Sequence, residues 1–107
     1  MLPKRYKLPL GSYQPKTPKV LRYPHCMVKI TENGLSYSRF GVVVGTRVYP
    51  RAVDRNHIKR SIFSSIRLEN LHLIPGFDIA IIILRAVDNL GSKDGFSQVL
   101  RDLKKSL

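Results

Sequence analysis

The 107-residue chain has a single cysteine, no tryptophan and only seven acidic residues. One thiol, Cys26, excludes an internal disulfide and any cysteine-based metal cluster. In its apolar, strand-like context it reads as a small inert hydrophobe. The acids are scattered, so there are no clustered carboxylates to hold catalytic metal ions or to work as an acid–base pair. His25, His57 and His72 lie far apart and lack ligand spacing. Gly41 and Gly45 bracket valines without the Lys-Ser/Thr ending of a phosphate-binding loop. The longest apolar run, residues 79–84, is strand-sized and far too short to span a bilayer. No apolar segment follows the opening Met1-Leu2-Pro3-Lys4-Arg5, so nothing marks it for secretion and a cytoplasmic location is expected. The sequence therefore offers no catalytic residues and no metal site of its own.

What it has in excess is positive charge. Nineteen Lys and Arg against seven acids give a formal net charge of +12. Residues 1–67 contain 14 Lys/Arg and only Glu32 and Asp54, a net +12, whereas residues 68–107 hold five of each sign. A solubilising surface mixes signs over its whole extent. A one-sided field of this kind instead attracts polyanions, and nucleic acid is the expected partner class. A membrane surface is disfavoured because no basic amphipathic helix carries a large apolar face.

Residues 1–24 hold five prolines among six cations, a spacing that forbids a long helix and predicts an extended basic arm. Tyr6, Tyr13 and Tyr23 are interleaved there and could stack on bases, or simply be solvated. A single domain is expected from residue 25 to 107. Residues 25–31 and 35–45 read as strands, with Asn33-Gly34 between them as a hairpin turn. Residues 40–44 are apolar on both faces, which suggests a central strand. Pro50 suits the first turn of a helix running to Leu68 or Asn70. Pro75-Gly76 marks a turn into a third strand at 78–84, and Phe96, Val99, Leu100, Leu103 and Leu107 form one stripe of a final helix. The order β-β-α-β-α predicts a small α+β sandwich in which the first helix makes a βαβ crossover.

The ten residues Arg51 to Arg60 carry most of the functional signal. Arg51, Arg55 and Lys59 recur at i, i+4 and i+8 and stack along one helical face, while Asn56 and Arg60 form a second row. Asp54 is the only acid among them, so this is no ordinary solvated helix of alternating sign. Further on, the first row becomes Ile58, Ile62 and Ile66, so the second half of the helix should pack on a sheet while the first overhangs it. Cations at a helix N-terminus oppose the macrodipole and one another, and a bound phosphate would relieve both.

Arg55-Asn56-His57 followed by Lys59-Arg60, placed after a valine-rich strand and the loop Thr46-Arg47-Val48, resembles the signature of the bacterial ribonuclease P protein family. Met1-Leu2-Pro3-Lys4 and Pro75-Gly76-Phe77-Asp78-Ile79 look like that family's start and its approach to the last strand. The resemblance implies a ribosomal-protein-S5-domain-2-like fold with a left-handed crossover. It also implies a monomer that joins a catalytic RNA in a 1:1 ribonucleoprotein and assists removal of the 5′ leader from precursor tRNA. The RNA would carry the chemistry and require Mg²⁺, and the protein would bind no cofactor firmly. The RNA-contacting set expected on this basis is Arg47, Arg51, Arg55, Asn56, His57, Lys59, Arg60 and Arg67.

The chain departs from the family pattern at several points. His57 stands where the family has arginine, Phe63-Ser64 replaces a common Arg-Glu, and the loop at Tyr49-Pro50-Arg51 is one residue longer. The proline-rich arm occupies the place of a first helix whose phenylalanines flank the leader cleft. Met27, Lys29 and Tyr37 are the expected leader contacts, although strand periodicity leaves open whether His25, Met27 and Lys29 or Cys26, Val28 and Ile30 face outward. Two other readings remain. A ribosomal or RNA-assembly protein would explain charge and size alone, and a stand-alone endonuclease would have to work through His57.

Overall fold

A computed structural model describes residues 3–9, 18–85 and 97–107. Four strands, β1 (Lys19–Arg22), β2 (Cys26–Glu32), β3 (Arg39–Val44) and β4 (Phe77–Ile83), form one sheet in the order β1-β2-β4-β3. Two helices, α1 (Ala52–Leu68) and α2 (Ser97–Ser106), follow β3 and β4 respectively. Single 3-10 turns occupy Lys4–Tyr6 and Leu71–Leu73.

Period-two alternation assigns the two faces. Cys26, Val28 and Ile30 of β2 sit opposite Ile83, Ile81 and Ile79 of β4, which in turn pair with Val44, Val42 and Phe40 of β3. All nine are buried in one cluster with Ile58, Ile62, Phe63 and Ile66 of α1 and Val99, Leu100 and Leu103 of α2. Both helices therefore cover the same side of the sheet, giving two layers. The β3–β4 pair is parallel, as a crossover through α1 requires, and the other pairs are antiparallel.

The expected hairpin at Asn33-Gly34 does not form. β2 and β3 both pair with β4, which lies between them. Gly34 does adopt φ +71°, but the turn carries the chain past the start of β4 instead of back along β2. Asn33 fastens that passage: its Nδ2 donates to the Phe77 carbonyl at 2.9 Å and to Asp78 Oδ1 at 2.9 Å, while its Oδ1 accepts from Leu35 N–H at 2.8 Å. The interior strands are accordingly β2 and β4, the inner isoleucines of β4 are all buried, and β3 lies at the edge with Val43 exposed.

The N-terminal stretch also differs from a free arm in its described parts. Lys19–Arg22 adds an edge strand antiparallel to β2, a strand too short to stand out among the prolines. Tyr6 and Leu8 are buried, Lys7 bridges Phe40, and Leu8 N–H donates to the Phe40 carbonyl at 2.8 Å. Tyr6 sets its ring edge-on to His72 at 4.6 Å and to Tyr37 at 5.3 Å. Tyr13 lies outside the described residues. Tyr23 donates its hydroxyl to Asp102 Oδ2 at 2.6 Å and so ties the β1–β2 corner to α2. Burial, then that carboxylate, push the Tyr23 phenol well above its ordinary range.

Candidate nucleic-acid interface

The start of α1 is built by its approach. Arg51 occupies the N-cap in extended conformation and provides no side-chain cap, so the first N–H groups keep no side-chain acceptor from it. Arg55 reaches back and donates from Nη1 to the carbonyls of Tyr49 and Pro50, both at 2.8 Å. That guanidinium thus closes the loop leading into the helix, a structural role that sequence spacing alone does not reveal. Asp54, in the first turn, is the one acid there and favours the helix dipole.

The expected cationic residues fall into two environments. Arg55 and Lys59, in line with the buried Ile58, Ile62 and Ile66, are half-buried. Asn56, His57, Arg60 and Arg67 are exposed, as are Arg47 and Arg51 in and after the preceding turn. Asn56, Arg60 and Arg67 share one outward azimuth, since four and eleven residues are close to one and three whole turns, and they span about 16 Å of helix. Among the described residues the ion pairs are Arg39–Asp78 and Lys104–Glu69, and none involves a cation of α1. Exposed Val53 lies beside the same stripe.

The opposite, helix-free face of the sheet carries a second set. Met27 and Lys29 project there, which settles the face left open by periodicity, since Cys26, Val28 and Ile30 belong to the core. Cross-strand pairing sets Arg22, Met27, Ile82 and Val43 in one row, and Val20, Lys29, Ala80 and Gly41 in the next. The third row is held by Asp78, whose carboxylate accepts from Arg39 Nε at 2.8 Å and Nη2 at 2.7 Å. Arg22 was missed from the sequence because β1 was hidden in the proline-rich stretch, and Ile82 because the unbroken apolar run of β4 does not show which residues face outward. The apolar pair Val20-Leu21 between Pro18 and Pro24 was the signal available. Tyr37 does not join this face: its ring packs on Tyr6 and the core.

Among the described residues nothing in the arrangement resembles a nucleophile with its base. His57 is exposed on α1, whereas His25 immediately precedes β2 and His72 is buried within the 3-10 turn. Burial pushes the Cys26 thiol up to about 11, so it stays protonated. Among the described residues no three His, Cys, Asp or Glu side chains converge on a point where a metal could sit. No described helix is long and apolar enough to cross a membrane.

Comparison with known proteins points in one direction. The ribonuclease P family model matches residues 14–107. The ribonuclease P protein component of Idiomarina loihiensis is 40% identical over 84 residues, covering 76% of this chain and 66% of that protein. The component of Chromohalobacter salexigens is 41% identical over 64 residues, and there the matched part spans about half of the relative's length, 49%. That of Pseudomonas putida is 30% identical over 109 residues, covering 99% of this chain and 78% of its own. In structure, the RNase P protein of Thermotoga maritima solved with 1-(4-fluorophenyl)-2-thiourea superposes with a TM-score of 0.58 at 33% identity, covering 84% of this chain and 83% of that one. A Staphylococcus aureus RNase P protein mutant with defective mRNA degradation activity gives a TM-score of 0.67 at 25% identity, covering 81% and 75%. The sheet order, the cationic helix after an edge strand and these matches agree: the chain belongs to the ribonuclease P protein component family.

Proposed function

We propose that this chain is the protein subunit of ribonuclease P and assists a catalytic RNA in endonucleolytic removal of the 5′ leader of precursor tRNA. The RNA subunit carries the hydrolysis and requires Mg²⁺, and the protein contributes binding. The observation that supports this most is the row of exposed α1 side chains Asn56, Arg60 and Arg67, whose cations have no ion-pair partner among the described residues, joined by Arg47, Arg51, His57 and Lys59. Such cations screen phosphate repulsion when a polyanionic substrate docks on a polyanionic catalyst. Arg55 belongs to this interface chiefly as the brace of its loop.

The sheet face with Met27, Lys29, Arg22 and Ile82 is the reading for the leader: basic groups for phosphates beside apolar surface for bases. Tyr37 has no part in it. The particle is a cytoplasmic 1:1 ribonucleoprotein, and no cofactor is assigned to the protein.

The test is cleavage of precursor tRNA at low Mg²⁺ by protein alone, by cognate RNA alone and by both. Accurate 5′ cleavage is expected only when both are present. Cleavage by protein alone would establish an autonomous nuclease. No stimulation over RNA alone would remove the tRNA assignment and favour a ribosomal or assembly RNA as partner.

A further inference from the structure

An open groove of about 590 Å³ runs along the C-terminal half of α1, lined by Ser64, Arg67, Leu68, Asn70 and His72. Resting on the RNA-binding reading above, we propose that it takes one unstacked nucleotide of the catalytic RNA, with phosphate on Arg67 and base over Leu68.

Four observations carry this. The groove is of the size that holds a small organic ligand, on the order of 300–1,000 Å³. It continues the Asn56–Arg60 row, with Arg67 about 10 Å of helix rise beyond Arg60, so a strand following the row arrives at it. Arg67 is exposed and forms no ion pair among the described residues, while next to it Leu68 is 72% exposed, an apolar surface beside a free cation. Asn70, exposed and in the left-handed conformation (φ +54°) that ends α1 and that asparagine tolerates, presents an amide that both donates and accepts.

The inner wall is His72, whose buried Nδ1 has no hydrogen-bond partner among the described residues and whose ring rests edge-on against Tyr6. Cation, apolar platform and bidirectional amide match the phosphate, face and edge of one nucleotide. Recognition of RNA through unstacked bases uses this combination, whereas a continuous helix keeps its base faces stacked out of reach. A peptide would gain little from the cation unless it were acidic.

The test uses the full-length protein with its catalytic RNA. Cys26 is fully buried and resists modification, so a photo-crosslinker can be attached selectively to Leu68→Cys and, as the reference on the helix row, to Val53→Cys. Both parent side chains are exposed, so both variants should fold. Both are expected to crosslink, Leu68→Cys to an unpaired nucleotide. Changing that base should weaken binding by the parent about tenfold, the scale of lost hydrogen bonds, and should barely affect Asn70→Gly, which keeps the left-handed backbone. Crosslinking from Val53→Cys alone, or from Leu68→Cys only to paired nucleotides, would overturn the groove and leave the RNA interface standing. No crosslink from either position would overturn both. Equal sensitivity of parent and Asn70→Gly to the base change would also refute the proposal.

Discussion

Arg55 and Arg60 lie five residues apart on one cationic helix, yet the structure separates their duties, and replacing each by alanine should separate them in solution. Arg60 is exposed and forms no ion pair among the described residues, so Arg60→Ala should change stability by less than about 0.5 kcal/mol. If its guanidinium meets an RNA phosphate, affinity should fall by about 1–3 kcal/mol, roughly 5- to 150-fold. The slope of log affinity against log salt should also become shallower by about one. Arg55 donates two 2.8 Å bonds to the Tyr49 and Pro50 carbonyls. Charge-assisted bonds contribute roughly 1.5–3 kcal/mol each when buried. The Pro50 bond is exposed, so water replaces much of it, and Arg55→Ala should cost about 1–2 kcal/mol in all. For a domain of this size that is a fall in melting temperature of roughly 5–10 °C. The pair of assays is thermal melting and RNA binding across a salt series. Equal melting temperatures for the two variants would refute the bracing role of Arg55. Unchanged affinity and salt slope for Arg60→Ala would refute the α1 interface.

Three further outcomes test the frame beneath the site. Ile62 is 1% exposed under β3 and β4, so Ile62→Ala should destabilise by about 2–5 kcal/mol, read from urea unfolding; a loss under about 1 kcal/mol would mean that α1 does not pack on the sheet this way. Asp78→Ala strips the acceptor from Arg39 and Asn33 and should cost about 2–4 kcal/mol, less than a fully buried pair because the Arg39 side chain is 29% exposed. The His72 ring is held below its ordinary pKa, first by burial and then by Arg67, so the native ring takes a proton at lower pH than the unfolded one. Its contribution is constant above about pH 6.5 and stability falls as pH drops below that value. His72→Phe should therefore lose less stability than the parent between about pH 7.5 and 5.5, and an identical loss in both would refute the assignment.

Much of this protein is local in origin and could be read along the chain. Pro50 and the apolar spacing of Ile58, Ile62 and Ile66 place α1 within two residues of its ends. The run of cations with one acid sets its outward chemistry, and the stripe of Val99, Leu100 and Leu103 places α2. Helical period and charge pattern act between neighbours three and four residues apart, so sequence alone decides them.

Strand partnership is not local. Asn33-Gly34 satisfies the requirements of a hairpin, but β4 outcompetes β3 for β2 because its isoleucines serve both neighbours from the centre of the sheet. Four residues between prolines give too little alternation to announce β1, so the partners of Met27 could not be named. The outward face of Met27 and Lys29, the turn of Tyr37 onto Tyr6, and the attachment of Arg55 to its own loop are likewise decided by the packed chain. The sequence determined which residues carry charge and which helix displays it. Only the tertiary structure decided which of those charges remain free for a partner, because that depends on groups brought together from distant parts of the chain.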